Sequence, residues 1–179
     1  MVRKTISEVI EVPADVSIEI TADILKLKKG ENELTRRLEY EIKKTDNKLA
    51  IGCEKATKKE KKLIKTFVSH IKGMLSGLQK KYLYKLQICS VHFPMNVSVS
   101  KDSVIIKNFL GETKDRKAKI LPGVNVKVEG DIMSIESCDK EKAGQTAANI
   151  EKATKIRNRD RRVFQDGIFI TEKEKGARK

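Results

Sequence analysis

The chain repeats itself, and that restricts its folding more than any other feature. Pro13-Ala14-Asp15-Val16-Ser17-Ile18 recurs as Pro94-Met95-Asn96-Val97-Ser98-Val99, a shift of 81 residues, and Gly30-Glu31 falls on Gly111-Glu112 at the same shift. Further along, Asn47–Ile51 matches Asp131–Ile135 at a shift of 84, and Val68–Ile71 lies over Ala147–Ile150 at 79. Four matches in one order mark a duplicated unit of roughly 80–85 residues, with loop-length changes producing the drift. The 179 residues therefore divide into two small domains, 1–83 and 84–179. Val91-His92-Phe93-Pro94 reads as a short, semi-rigid link between them.

Within each copy the dominant period is two. Val16, Ile18 and Ile20 alternate with polar residues, as do Leu25 and Leu27, then Leu49 and Ile51. The second copy answers with Val97/Val99, Val104/Ile106, Val124/Val126/Val128 and Met133/Ile135. Turn residues separate the runs at Thr21–Asp23, Lys29-Gly30, Thr45–Asn47, Lys101–Ser103, Leu110-Gly111 and Glu129–Asp131. One helix follows each set of strands. In the first, Leu63, Ile64, Phe67, Val68, Ile71, Leu75 and Leu78 form an apolar stripe. Lys58, Lys62, Lys65, Ser69, Lys72 and Ser76 form the opposite face. In the second, capped by Asp139, the stripe is Ala143, Ala147, Ile150 and Thr154. The predicted class is α+β: a tandem duplication of a small antiparallel β-sheet packed with one α-helix.

Charge defines the partner class. Lys and Arg number 39 against 25 Asp and Glu, giving +14, and each copy carries +7: 19 against 12 in residues 1–83, then 20 against 13. Such an excess points to a polyanion. No apolar run approaches the ~18–20 residues of a membrane span, and Met1–Glu11 lacks a signal-peptide core, so a cytoplasmic protein is expected. Cys53, Cys89 and Cys138 fit neither a disulfide framework nor a local zinc motif, and read as small core hydrophobes. His70 and His92 are isolated and read as structural histidines. With no P-loop and no carboxylate pair, no catalytic constellation, cofactor or metal is expected.

The densest functional signal runs from Lys152 to Gln165, with six Lys/Arg against one acid. Four of the six are Arg, whose planar fork binds phosphate oxygens in pairs. Gln145, Asn149, Asn158 and Gln165 add neutral donors suited to sugar and phosphate. Nucleic-acid contact is preferred here over a solvated helix end and edge strand. Phe164 reads as a core strand residue rather than a stacking ring. The lysines Lys58, Lys59, Lys61, Lys62 and Lys65 of the first helix read as a solvated face.

Lys107–Glu112, Gly144–Ile150 and Asp160–Gly167, with His92–Met95 and the Phe67–Gly73 helix, resemble the sixth family of large-subunit ribosomal proteins in its archaeal and eukaryotic form. The resemblance covers nearly the whole chain, duplication included. It implies a non-catalytic constituent of the large subunit, bound to rRNA near the sarcin–ricin loop and stalk base, where translation factors dock. It also implies neighbouring ribosomal proteins as partners and a second domain that makes most of the RNA contact. Carried over by motif, the RNA-binding residues are Gln145, Asn149, Lys152, Lys155, Arg157, Arg159, Arg161 and Arg162. The first-domain turn departs from the family pattern: Leu27–Leu34 lacks its Gly-Pro pair, so Lys28 and Lys29 stay outside the site. Two rival readings are an RNA-modifying or RNA-cleaving enzyme, and an adaptor for acidic proteins.

Overall fold

The computed structural model describes residues 4–21, 24–38, 42–45 and 48–173. Two compact units divide between Lys80 and Lys81. The expected turns at Thr21–Asp23 and Thr45–Asn47 involve residues 22–23 and 46–47, which lie outside the described residues.

The first unit runs β1 (Lys4–Glu11), β2 (Ser17–Thr21), β3 (Ile24–Lys29), β4 (Asn32–Arg37), β5 (Ile42–Thr45), β6 (Lys48–Ala56) and α1 (Lys58–Gln79). Its strands form two antiparallel sheets, ordered β1-β6-β5 and β2-β3-β4. Alternation drives Leu25, Leu27, Leu49 and Ile51 to full burial, and α1 covers them from β1, β3 and β6. A capping box starts α1: Thr57 accepts from the Glu60 backbone N–H while the Glu60 carboxylate accepts from that of Thr57. The apolar stripe is buried as expected except at Leu63, which is 42 % exposed. At about 100° per residue, Leu63 lies about 90° from the stripe's centre, on its rim.

The second unit repeats that order: β7 (Tyr82–Cys89), β8 (Asn96–Val99), β9 (Ser103–Lys107), β10 (Arg116–Lys119), β11 (Asn125–Glu129), β12 (Ile132–Ser137) and α2 (Lys140–Ala153). Sheets β11-β12-β7 and β10-β9-β8 mirror their counterparts strand for strand. Ile42 faces Ile51 as Val126 faces Ile135, which fixes the shift of 84 there. Ile64, Val68 and Ile71 are buried as Ala143, Ala147 and Ile150 are, fixing 79 in the helices. The β2–β3 hairpin corrects the first match. Ile18 faces Leu27 and Val97 faces Ile106, so Ile18 corresponds to Val97, a shift of 79 rather than 81. A period of two matches itself equally well after sliding by two residues, which is why the Pro13/Pro94 anchor misled.

Val91–Pro94 is not the link between units. It joins β7 to β8 inside the second unit, and the chain passes between units directly after α1. One strand has no counterpart among the described residues of the first unit. β13 (Gly167–Lys173) adds antiparallel to β7, with a register shift between Ile170 and Glu172. Beneath α2 the core of this unit gathers Leu86, Ile106, Phe109, Met133, Ile135, Ile150 and Ile168.

Candidate nucleic-acid interface

The basic run lies where α2 ends and β13 has not begun. Asp139 caps α2 as expected, its Oδ1 accepting from the Glu141 N–H at 2.9 Å and the Lys142 N–H at 3.5 Å. Small Ala143 and Ala147, both fully buried, seat the helix close to the sheet. Its outer face then presents Gln145, Asn149 and Lys152 at helical spacing. Gln145 Nε2 donates to Asn149 Oδ1 at 2.9 Å, and Asn149 Nδ2 donates to the Lys119 carbonyl at 3.2 Å, so the two amides are held as a pair.

Beyond α2 the chain forms a loop tied at several points. Buried Thr154 accepts from the Ile168 N–H at 3.0 Å through Oγ1 and donates to the Glu151 carbonyl at 3.2 Å, closing the loop's base. Asp166, only 2 % exposed, accepts from the backbone N–H of Val91 at 2.6 Å and of His92 at 2.9 Å. Its other oxygen meets His92 Nδ1 at 2.6 Å. Burial would raise this carboxyl, but the His92 backbone and ring and the Val91 N–H outweigh it, leaving Asp166 below the ordinary carboxylate range. His92 is thus the structural histidine the sequence suggested. The partnership with Asp166, 74 residues away, carries no local signal.

Arg116 on β10 is the residue that sequence reasoning missed. Its guanidinium pairs with both Glu112 oxygens at 2.8 and 2.6 Å and donates to the carbonyls of Ala153 at 2.8 Å and Lys155 at 3.3 Å. It also lies 4.2 Å over the ring of buried Phe109. The Arg116 hydrogen bond, opposed by burial and aided by the charges of Arg116 and Arg159, lowers the Glu112 carboxyl. Arg116 therefore satisfies carbonyls left open at the α2 terminus and fixes where the loop departs.

On this scaffold Lys152, Lys155, Arg157, Arg159, Arg161 and Arg162 are all exposed. The one acid among them neutralises no arginine: Asp160 Oδ1 accepts from the Arg162 N–H at 2.9 Å, and its carbonyl accepts from Phe164 at 2.9 Å, closing a turn. Asn158 supplies a left-handed bend at φ 55°, which its short amide tolerates. Phe164 is not a strand residue. It sits half-buried before β13, its ring centroid 4.8 Å from that of His92, with the Arg159 guanidinium 4.9 Å above it. The alternating Arg162–Ile170 pattern suggested a strand, but the Asp160 turn and the Asp166 tether intervene. Lys155, Arg157, Arg161 and Arg162 make no side-chain hydrogen bond or ion pair among the described residues. Gln165 Nε2 donates to the Arg162 carbonyl at 3.3 Å.

The family model described as Ribosomal protein L6 matches residues 93–167, from the β7–β8 connection through the whole basic loop. The protein named large ribosomal subunit protein uL6 of Methanococcus vannielii is 43 % identical over 175 residues, covering 96 % of each chain. The chain belongs to the ribosomal protein L6 family. Its uL6 relative from Sulfurisphaera tokodaii is 42 % identical across 93 % of this chain and 92 % of its own. That from Methanobrevibacter smithii is 40 % identical across 97 % and 99 %. The two-unit α+β architecture is thus that of an L6-family protein along nearly its full length. Among the described residues, no group of acids, His and Cys is placed to hold a metal ion, and no helix is long and apolar enough to cross a membrane. Cys53, Cys89 and Cys138 are half-buried and form no disulfide, and burial pushes the Cys138 thiol up.

Proposed function

We propose that this L6-family chain is a non-catalytic structural constituent of the large ribosomal subunit, in the cytoplasm, binding large-subunit rRNA near the sarcin–ricin loop and stalk base. The second unit makes the main RNA contact, through Gln145, Asn149, Lys152, Lys155, Arg157, Arg159, Arg161 and Arg162, beside neighbouring ribosomal proteins. The subunit assignment rests on the near full-length relatives, which are named as large-subunit proteins. The RNA site rests on one observation: Lys152 at the end of α2 and five exposed cations on a loop tied at both ends, with their one acid occupied by backbone.

Tethering matters because a mobile arginine loop would lose conformational entropy on binding, and this one is already ordered. The arginines bind phosphate oxygens where RNA segments crowd together, and the Gln145–Asn149 pair keeps an amide N–H on each residue for sugar or phosphate. Shape then selects the site, as expected for folded RNA. Six phosphate contacts give a slope of log affinity on log salt of about −4 to −5. The test is a chain carrying Arg161→Glu and Arg162→Glu, both exposed and free of structural bonds through their side chains. It should keep its fold by circular dichroism and lose stable association with large-subunit rRNA. Unchanged association would refute the placement.

A further inference from the structure

From the geometry of α1 we infer that the first unit carries a second, lysine-only RNA contact: a ridge that neutralises phosphates of the same rRNA without selecting sequence. The inference rests on the RNA-binding reading above and concerns a surface outside the Arg loop. Lys58, Lys59, Lys61, Lys62, Lys65 and Lys72 are all exposed, and none forms an ion pair among the described residues. Lys58, Lys62, Lys65 and Lys72 follow one line that, at 1.5 Å per residue, extends for about 21 Å, and exposed Ser69 lies on the same line. Lys61 and Lys59 flank it.

Two observations argue against a merely solvated face. The first is self-repulsion: Lys58/Lys62 and Lys61/Lys65 are i,i+4 pairs, while Lys58/Lys61, Lys59/Lys62 and Lys62/Lys65 are i,i+3 pairs. Like charges at these spacings destabilise a helix, and lysines in its first turns also oppose its dipole. The Glu60 carboxylate accepts from the backbone of Thr57 in the capping box. A bound polyanion would relieve every one of these repulsions. The second is that the ridge does not come with the fold. At the shift of 79 that aligns the two buried stripes, Lys62, Lys65, Ser69 and Lys72 become Glu141, Gly144, Ala148 and Glu151.

The composition selects the partner. Protein interfaces are enriched in aromatics, Met and Arg and depleted in Lys, whereas the ridge has lysine and serine alone. A membrane surface would need the apolar face of α1, and that face is buried against β1, β3 and β6. Phosphate neutralisation needs only point charges, which is what lysine offers.

The test uses the full chain carrying Lys58→Gln, Lys62→Gln and Lys65→Gln, with large-subunit rRNA as the probe. Loss of three phosphate contacts should make the salt slope shallower by about 2–3. The affinity gap from wild type should then shrink roughly 20- to 40-fold between about 50 and 200 mM salt. Without RNA, the variant's melting temperature should rise as the repulsions vanish. An unchanged slope beside a raised melting temperature would refute the RNA contact and leave a solvated face. Unchanged binding to naked rRNA with weakened binding to assembled subunits would also overturn it, in favour of an acidic protein partner. Failure of the Arg-loop reading is separable, since there Arg161→Glu with Arg162→Glu would keep its affinity whatever the lysine variant does.

Discussion

Asp166→Ala tests whether the basic loop is held by the buried carboxylate. Asp166 gathers three donors, the backbone N–H groups of Val91 and His92 and the ring nitrogen of His92. Hydrogen bonds to a charged group contribute ~1.5–3 kcal/mol each. The His92 side chain is 32 % exposed and regains water when the carboxylate leaves, so its share is discounted. The two part-buried backbone donors lose their acceptor outright, for a total of about 3 kcal/mol. Asp166→Asn keeps one acceptor oxygen without the charge and should lose about half as much. Because a two-unit chain need not unfold in one step, hydrogen exchange of the β7 and β13 amides in urea is the appropriate assay. The sign of the pH dependence follows from the lowered Asp166 carboxyl. Its contribution is complete above the unfolded value near ~3.9 and is lost as pH falls through the still lower folded value. The wild-type advantage over Asp166→Asn should therefore be flat at neutral pH and disappear in acid. A loss below about 1 kcal/mol for Asp166→Ala, or an advantage that persists in acid, would refute the tether.

Arg116→Gln should cost about 1–2 kcal/mol, less than a fully buried pair because the Arg116 side chain is 25 % exposed. It should also weaken rRNA binding without removing a phosphate contact, so the salt slope stays constant while affinity drops; a changed slope would make Arg116 a direct ligand. Ile150→Ala, at a fully buried position between α2 and the sheet, should cost ~2–5 kcal/mol in thermal or urea unfolding of the second unit.

Strands β2, β3, β6, β8, β9, β11 and β12, both helix stripes and the Asp139 cap were legible because each is a local pattern whose period matches the element it forms, whereas β1, β4, β5, β7 and β10 were not read from the sequence. The hairpin correspondence was not, since sliding a two-residue alternation by two leaves every apolar residue on the same face. Leu63 shows the matching limit for a helix: a residue at the rim of a stripe satisfies the spacing and still faces water. The site divided in the same way. Charge and side-chain chemistry picked out the Arg run, and all six of its cations proved exposed. What holds the run was invisible, because Arg116 reaches carbonyls 37 and 39 residues away and Asp166 reaches His92 across 74. Such contacts exist only after β7, β10 and α2 have been packed together.

The similar charge excess of the two units conceals a structural inequality that favours the second as the place of the proposed site. Duplication accounts for every described strand and α-helix through α2, and after α1 the chain enters the next unit at once. After α2 it continues into the basic loop and returns as β13. That return is what makes the loop usable. β13 pairs with β7, and the Thr154–Ile168 bond and the Asp166 tether then fix both ends of a segment whose cations would otherwise repel one another into disorder. Among the described residues the first unit has no such return strand, and six of its lysines lie on the helix α1 instead. On a helix the charge takes the form of lysines at fixed spacing rather than arginines on a shaped loop. A similar excess of positive charge thus takes the form of arginines on a tied loop in one unit and of a lysine ridge in the other.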